Sequence, residues 1–129
     1  MKALFFLFCF VFALTSASVQ GQAANQVFAN DTTKGAQTKY FTGTKEASIY
    51  QGIAGFVFTT AHDNDSVFFE GCYTTNSWYV IDTVIVTGSA SVNREVYQTP
   101  PRYKNYRLRR KGIAGDTCYY SNVRYYLKY

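Results

Sequence analysis

The run Ser77-Trp78-Tyr79-Val80-Ile81-Asp82-Thr83-Val84-Ile85-Val86-Thr87-Gly88 is the densest β-branched and aromatic stretch outside the N-terminus, and it limits the fold more than any other. At a period of two, Trp78, Val80, Asp82, Val84 and Val86 fall on one face, and Tyr79, Ile81, Thr83, Ile85 and Thr87 on the other. Both faces are largely apolar. A strand of this kind needs cover on both sides, which places it in the middle of a sandwich or barrel with Trp78 buried, and Gly88 closes it with a turn.

Around it, short β-prone runs alternate with Gly, Asn, Asp, Ser and Pro clusters from Gln37 to the C-terminus, the rhythm of an antiparallel all-β domain. The expected strands cover residues 39–42, 47–51, 55–60, 66–73, 77–87, 92–98, 103–109 and 117–128. The polar stretch His62-Asp63-Asn64-Asp65 and the run Gly88-Ser89-Ala90-Ser91 are connections, and Pro100-Pro101 forbids regular pairing near Thr99. In the last strand, Tyr119, Val123, Tyr125, Leu127 and Tyr129 share the face expected to point to the core, with Tyr120, Asn122, Arg124, Tyr126 and Lys128 opposite. Gly52-Ile53-Ala54-Gly55 recurs as Gly112-Ile113-Ala114-Gly115, read as two similar turns leading into strands. The fold expected is a small antiparallel β-sandwich or barrel over residues 37–129.

The chain opens on Met1-Lys2, an apolar run from Ala3 to Leu14 and small or polar residues to Gly21, the pattern of a cleaved secretory signal peptide over residues 1–21. The remaining 108 residues suit one domain, and no later stretch is long and apolar enough to span a bilayer. Residues 22–36, polar and small, read as a flexible arm. Cys9 leaves with the signal, so Cys72 and Cys118 meet an oxidising pathway as an even pair, which is most simply one disulfide, with two buried free thiols as the rival reading. Asn30-Asp31-Thr32 and Asn64-Asp65-Ser66 are N-glycosylation sequons, with Asn30 and Asn64 as acceptors. The localisation expected is secreted and extracellular.

Charge is segregated. From Gln22 to Val92 three lysines face six acids, net −3, whereas from Asn93 on nine basic residues face two acids, net +7. The positive half contains the run Arg102-Tyr103-Lys104-Asn105-Tyr106-Arg107-Leu108-Arg109-Arg110-Lys111. On a strand, Arg107, Arg109 and Lys111 point one way, a row of cations suited to sulfated glycans or anionic lipid heads. Arg102, Lys104, Arg107, Arg109, Arg110 and Lys111 are therefore the candidate anion-binding or partner-binding residues. The bland alternative is a charged edge strand that discourages aggregation. Nucleic acid is not expected as a partner of an exported chain.

Catalytic inventory is thin. The single histidine, His62, could serve an acid–base pair with Glu70 or Glu95 and an arginine, but no spacing singles these out. His62-Asp63-Asn64-Asp65 lacks the further acids and the glycine of a calcium loop, so no metal and no cofactor is expected.

Ile81-Asp82-Thr83-Val84-Ile85-Val86-Thr87, Tyr106-Arg107-Leu108-Arg109-Arg110-Lys111-Gly112 and Val123-Arg124-Tyr125-Tyr126 together resemble the C-terminal half of the insect secreted family named after multiprotein bridging factor two. In place of that family's Gly-Gly-Pro-like turn, this chain has Thr99-Pro100-Pro101. The resemblance implies a small, β-rich, non-enzymatic extracellular protein of an insect-like haemolymph, saliva or reproductive secretion. The reading that follows is a secreted binding protein for an apolar or lipid ligand or an anionic surface. The alternatives are a cationic host-defence or membrane-active protein and a small secreted hydrolase.

Overall fold

A computed structural model describes residues 22–74 and 76–129, and the expected signal peptide lies outside the described residues. Nine strands are described: β1 (Gln22–Val27), β2 (Asp31–Lys34), β3 (Thr38–Thr42), β4 (Ile53–His62), β5 (Asp65–Cys72), β6 (Tyr79–Val86), β7 (Val92–Gln98), β8 (Asn105–Gly112) and β9 (Thr117–Lys128). All pairings are antiparallel. One sheet runs β1–β9–β4–β7, with β2 also on β9, and the other runs β3–β8–β5–β6. The expected all-β architecture is present, and among the described residues no helix is long and apolar enough to cross a membrane.

Alternation along each strand sends every second side chain between the sheets. Phe56 and Phe58 of β4, Val96 of β7 and Tyr120, Val123, Tyr125 and Leu127 of β9 are buried. Facing them are Phe41 of β3, Val67 and Phe69 of β5, Val86 of β6 and Tyr106 and Leu108 of β8. Rings meet across the layers edge to face, Phe56 against Phe69 at 6.1 Å and Phe41 against Tyr120 at 5.9 Å, the geometry that aromatic quadrupoles favour.

Six expectations are corrected by this arrangement. The 77–88 run is not central: β6 pairs only with β5, and Tyr79, Val80 and Ile85 are exposed. Trp78 precedes the strand and is half-buried rather than buried. β-Branched density reports a preference for pleated backbone, whereas burial goes here to Phe- and Tyr-rich strands. As an edge, β6 carries two protections: a register shift opposite Phe69 and Glu70 that leaves Ile81 unpaired, and Asp82 inside its apolar run.

Residues 22–34 do not form a loose arm. β1 and β2 line up along β9, Val27 opposite Arg124 and Asp31 opposite Tyr120, so polar side chains serve a strand whose backbone completes the sheet edge. The 47–51 strand is absent, its place taken by a bend and turn before β4. In β9 the core face switches: Tyr120 is buried and Tyr119 is 46% exposed, because Asn122, with φ 52°, sits in a bulge where the register with β4 shifts between Val57 and Thr59.

Cys72 and Cys118 are not bridged; both are free and buried. Cys118 pairs with His62 and lies close enough to Asp65, the first residue of β5, to feel its charge. Cys72 closes that same eight-residue strand, roughly 23 Å away at the strand's rise per residue. A disulfide needs its Cα atoms within about 7 Å, so the two thiols, held at opposite ends of the sandwich, cannot meet. Burial pushes both thiols up from their ordinary range.

Candidate functional site

Side chains of β8 divide between the two faces of its sheet. Tyr106, Leu108 and Arg110 point into the sandwich, while Arg107 and Arg109 lie on the outer face, with Lys111 following at the exposed strand end. Two of the three cations expected to form a free row are not free. Arg107 Nε donates to Glu70 Oε2 at 2.7 Å and Arg109 Nε to Glu70 Oε1 at 2.6 Å, because β5 and β8 place Glu70 opposite Arg107. Glu70 is 3% exposed. The Arg107 guanidinium is further held 4.4 Å from the Tyr40 ring and 4.1 Å from the Trp78 ring, and Arg109 lies 4.1 Å from Phe68. This outer face is an aromatic and cation lattice set on one buried acid.

Arg110, also placed among the partner-binding candidates, is an internal residue at 1% exposure. Its Nη2 donates to Asp31 Oδ2 at 2.9 Å, and its guanidinium lies 3.8 Å from the Phe41 ring, while Nε and Nη1 have no hydrogen-bond partner. Asp31 also accepts from Lys39 Nζ at 3.1 Å. Partial burial raises the Asp31 carboxyl, but the hydrogen bonds from Arg110, the Thr32 backbone and Lys39 outweigh it and bring the group down to about 2 from 3.8. A carboxyl lowered by folding stabilises the fold above its unfolded value, and this contribution is lost as pH falls from about 3.8 toward 2. The denaturation midpoint of the wild type is therefore expected to drop across that interval more steeply than that of Asp31→Asn, in parallel acid titrations of unfolding. Equal acid slopes would separate Asp31 from the effect.

Arg102 and Lys104 are placed differently. They are exposed on the connection between β7 and β8, at the Cys72 end of the sandwich. That connection is fixed by bonds from all around it. The buried Tyr106 hydroxyl accepts from the Arg102 and Tyr103 N–H groups, each at 3.1 Å, and donates to Gln98 Oε1 at 2.8 Å. The Pro101 carbonyl accepts from Tyr50 N–H at 2.8 Å, the Lys104 carbonyl from Ala47 N–H at 2.7 Å, and Lys104 N–H donates to Cys72 at 3.2 Å. Gly71 leaves room for the Tyr103 ring, since a Cβ there would stand 2.4 Å from Tyr103 Cδ2. From that seat Tyr103 meets Tyr73 at 5.2 Å and stacks on Tyr79 at 5.9 Å. A column of rings thus runs from the core, Phe69 on Tyr106 at 5.4 Å, through Tyr103 to the exposed Tyr73 and Tyr79. Arg102 and Lys104 flank its outer end on either side of Tyr103 in the chain.

The remaining candidates do not converge. His62 ends β4 with its ring 4.6 Å from Tyr119, Glu70 is held by Arg107 and Arg109, and Glu95 on β7 accepts from the Tyr126 hydroxyl. The His62-Asp63-Asn64-Asp65 oxygens are engaged internally: Asp63 accepts from Thr117 N–H, Asn64 bridges Gly88 and Asp116, and buried Asp65 is hydrogen-bonded by Tyr120. Burial raises the Asp65 carboxyl despite the hydroxyl and the Ser66 N–H that favour its anion. Among the described residues no three metal-ligating side chains gather. Asn30 and Asn64 are both exposed, and only Asn64 has its amide engaged in these bonds.

Sequence reasoning missed the outer face of the first sheet. Above β4, between β7 and β9, lies an open groove of about 490 Å3 whose walls include Asn93, Glu95, Asn122 and Arg124. It continues past Val57 into a second groove of about 240 Å3 bordered by Asn25, Tyr126 and Lys128. Alternation does place Asn122, Arg124, Tyr126 and Lys128 together opposite the core face; what it could not show is that β7 and β9 flank β4, which brings Asn93 and Glu95 beside them.

Fold and surface define a small two-sheet antiparallel β protein with an aromatic, basic end. No family model matches its sequence, and no curated protein does. Among solved structures it is similar to a chain from the Bacillus endospore appendages, which form a family of disulfide-linked pili, at 16% identity over 84% of this chain and 90% of that one, with a TM-score of 0.44.

Proposed function

We propose that this protein is an exported, non-catalytic binding protein that docks on an anionic lipid surface through the end of the sandwich carrying Tyr73, Tyr79, Tyr103, Arg102 and Lys104. The observation that supports this reading is the pairing of exposed rings with unpaired cations on one fixed connection. Tyr73 and Tyr79 are 51% and 54% exposed, and neither Arg102 nor Lys104 is in an ion pair among the described residues. Amphipathic tyrosine rings suit the headgroup depth of a bilayer, and each basic residue near an anionic leaflet contributes about 1 kcal/mol. Loops closed by so many hydrogen bonds also lose little entropy on docking. A ligand lodged inside the sandwich fits less well, because its interior is filled by interlocking rings.

The test is co-sedimentation with phosphatidylcholine vesicles with and without phosphatidylserine. Binding is expected only with the anionic lipid, falling steeply with salt, and Arg102→Glu with Lys104→Glu should weaken it by about a hundredfold or more. Binding that ignores the double reversal would reject the site, and heparin binding without vesicle binding would move the partner to sulfated glycans.

A further inference from the structure

The groove on the outer face of the first sheet points to a second ligand. We infer that it is a binding site for a short acidic oligosaccharide, one whose sugar rings carry carboxylates. The floor is β4, whose backbone is already paired on both sides by β7 and β9, so an extended peptide cannot add itself there by main-chain bonding. Recognition has to come from side chains. Those that line it are amides, a hydroxyl, a carboxylate, two guanidiniums and an ammonium, with Val57 as the single aliphatic residue and the rings of Phe58 and Tyr126, a lining rich in donors and acceptors for hydroxyl groups.

Charge selects among hydroxylated ligands. Glu95 is occupied by the Tyr126 hydroxyl, an arrangement made by Gly55: a Cβ there would stand 2.7 Å from the hydroxyl oxygen, so only glycine lets the ring cross β4 to reach β7. Arg124, exposed and shared by both grooves, makes no ion pair among the described residues, and Lys128 stands at the far end. The groove therefore has three cations, Arg94, Arg124 and Lys128, against one acid that is already hydrogen-bonded, and a fork-shaped donor in Arg124 at its midpoint that fits a carboxylate in a bidentate manner. The bulge is what puts these groups there. The extra residue at Asn122, held at φ 52°, turns its side chain into the wall, and the next outward position delivers Arg124.

The experiment is isothermal calorimetry of the secreted protein with trigalacturonate, with neutral cellotriose as the control sugar. The wild type should bind trigalacturonate and not cellotriose. Arg124→Ala should weaken binding by about tenfold or more, the loss of a charge-assisted pair, and Glu95→Gln should tighten it by about threefold by removing a like charge. Arg102→Glu with Lys104→Glu should leave it unchanged, since those residues belong to the other surface. No heat with trigalacturonate, equal binding of cellotriose, or indifference to Arg124→Ala in a variant with wild-type thermal unfolding would each overturn the site. Equal weakening by the double reversal would reduce the binding to general electrostatics and overturn it as well.

Discussion

Glu70→Ala should lower the unfolding free energy by about 3 kcal/mol, read as a shift of the denaturant midpoint at constant slope. Glu70 is the only acid in contact with Arg107 and Arg109 among the described residues, and its removal strands two guanidiniums side by side on a half-buried face. Their side chains keep 19% and 25% exposure, so they can partly turn to water, and this holds the cost to the low end for a broken buried pair. Glu70→Gln, which keeps an acceptor but loses the charge, should fall between the two. A Glu70→Ala variant as stable as wild type would show that the lattice of Tyr40, Trp78 and Phe68 is held by ring contacts alone.

A second large effect is expected at the N-terminal edge, and it is asymmetric. Asp31→Ala should cost about 3–5 kcal/mol, because it leaves the Arg110 guanidinium buried with its charge uncompensated and two of its nitrogens already lacking partners. Arg110→Met should cost far less, under about 1.5 kcal/mol, since a flexible apolar chain can fill the space beside Phe41 and the abandoned Asp31, with 37% of its side chain exposed, can be hydrated. Equilibrium unfolding of the two single variants and the double decides the matter. Equal losses in the singles would mean that Arg110 matters for packing rather than charge.

These two acids mark where the sequence stops being readable. Alternation told that residues 55–60, 66–73, 92–98 and 103–109 are strands, and it placed Arg107, Arg109 and Lys111 on one face, because period two is a local property. Which acid meets which cation is set by register between strands distant in the chain: Glu70 and Arg107 are opposite each other only because β5 and β8 are neighbours. The halves of opposite charge neutralise each other in part, through Asp31 with Arg110 and Glu70 with Arg107 and Arg109. Centrality was equally hidden. The Val- and Ile-rich β6 looks like the middle of a sheet and is an edge, while the tyrosine-rich β9 touches three strands. Its single extra residue at Asn122 exchanged the faces of everything upstream of it, so Tyr119 and Tyr120 trade the places that alternation assigns them.

The proposed docking surface and the cation row of β8 are separated most directly by two single charge reversals measured against the same phosphatidylserine vesicles. Arg102 and Lys111 are both exposed basic residues, one before β8 and one at its far end, about 20 Å apart or more along the strand and beyond the screening length at physiological salt. Arg102→Glu is expected to weaken vesicle affinity by about tenfold, whereas Lys111→Glu should leave it within about twofold. Equal losses from the two reversals would contradict a site at the tyrosine end and return the binding to net charge.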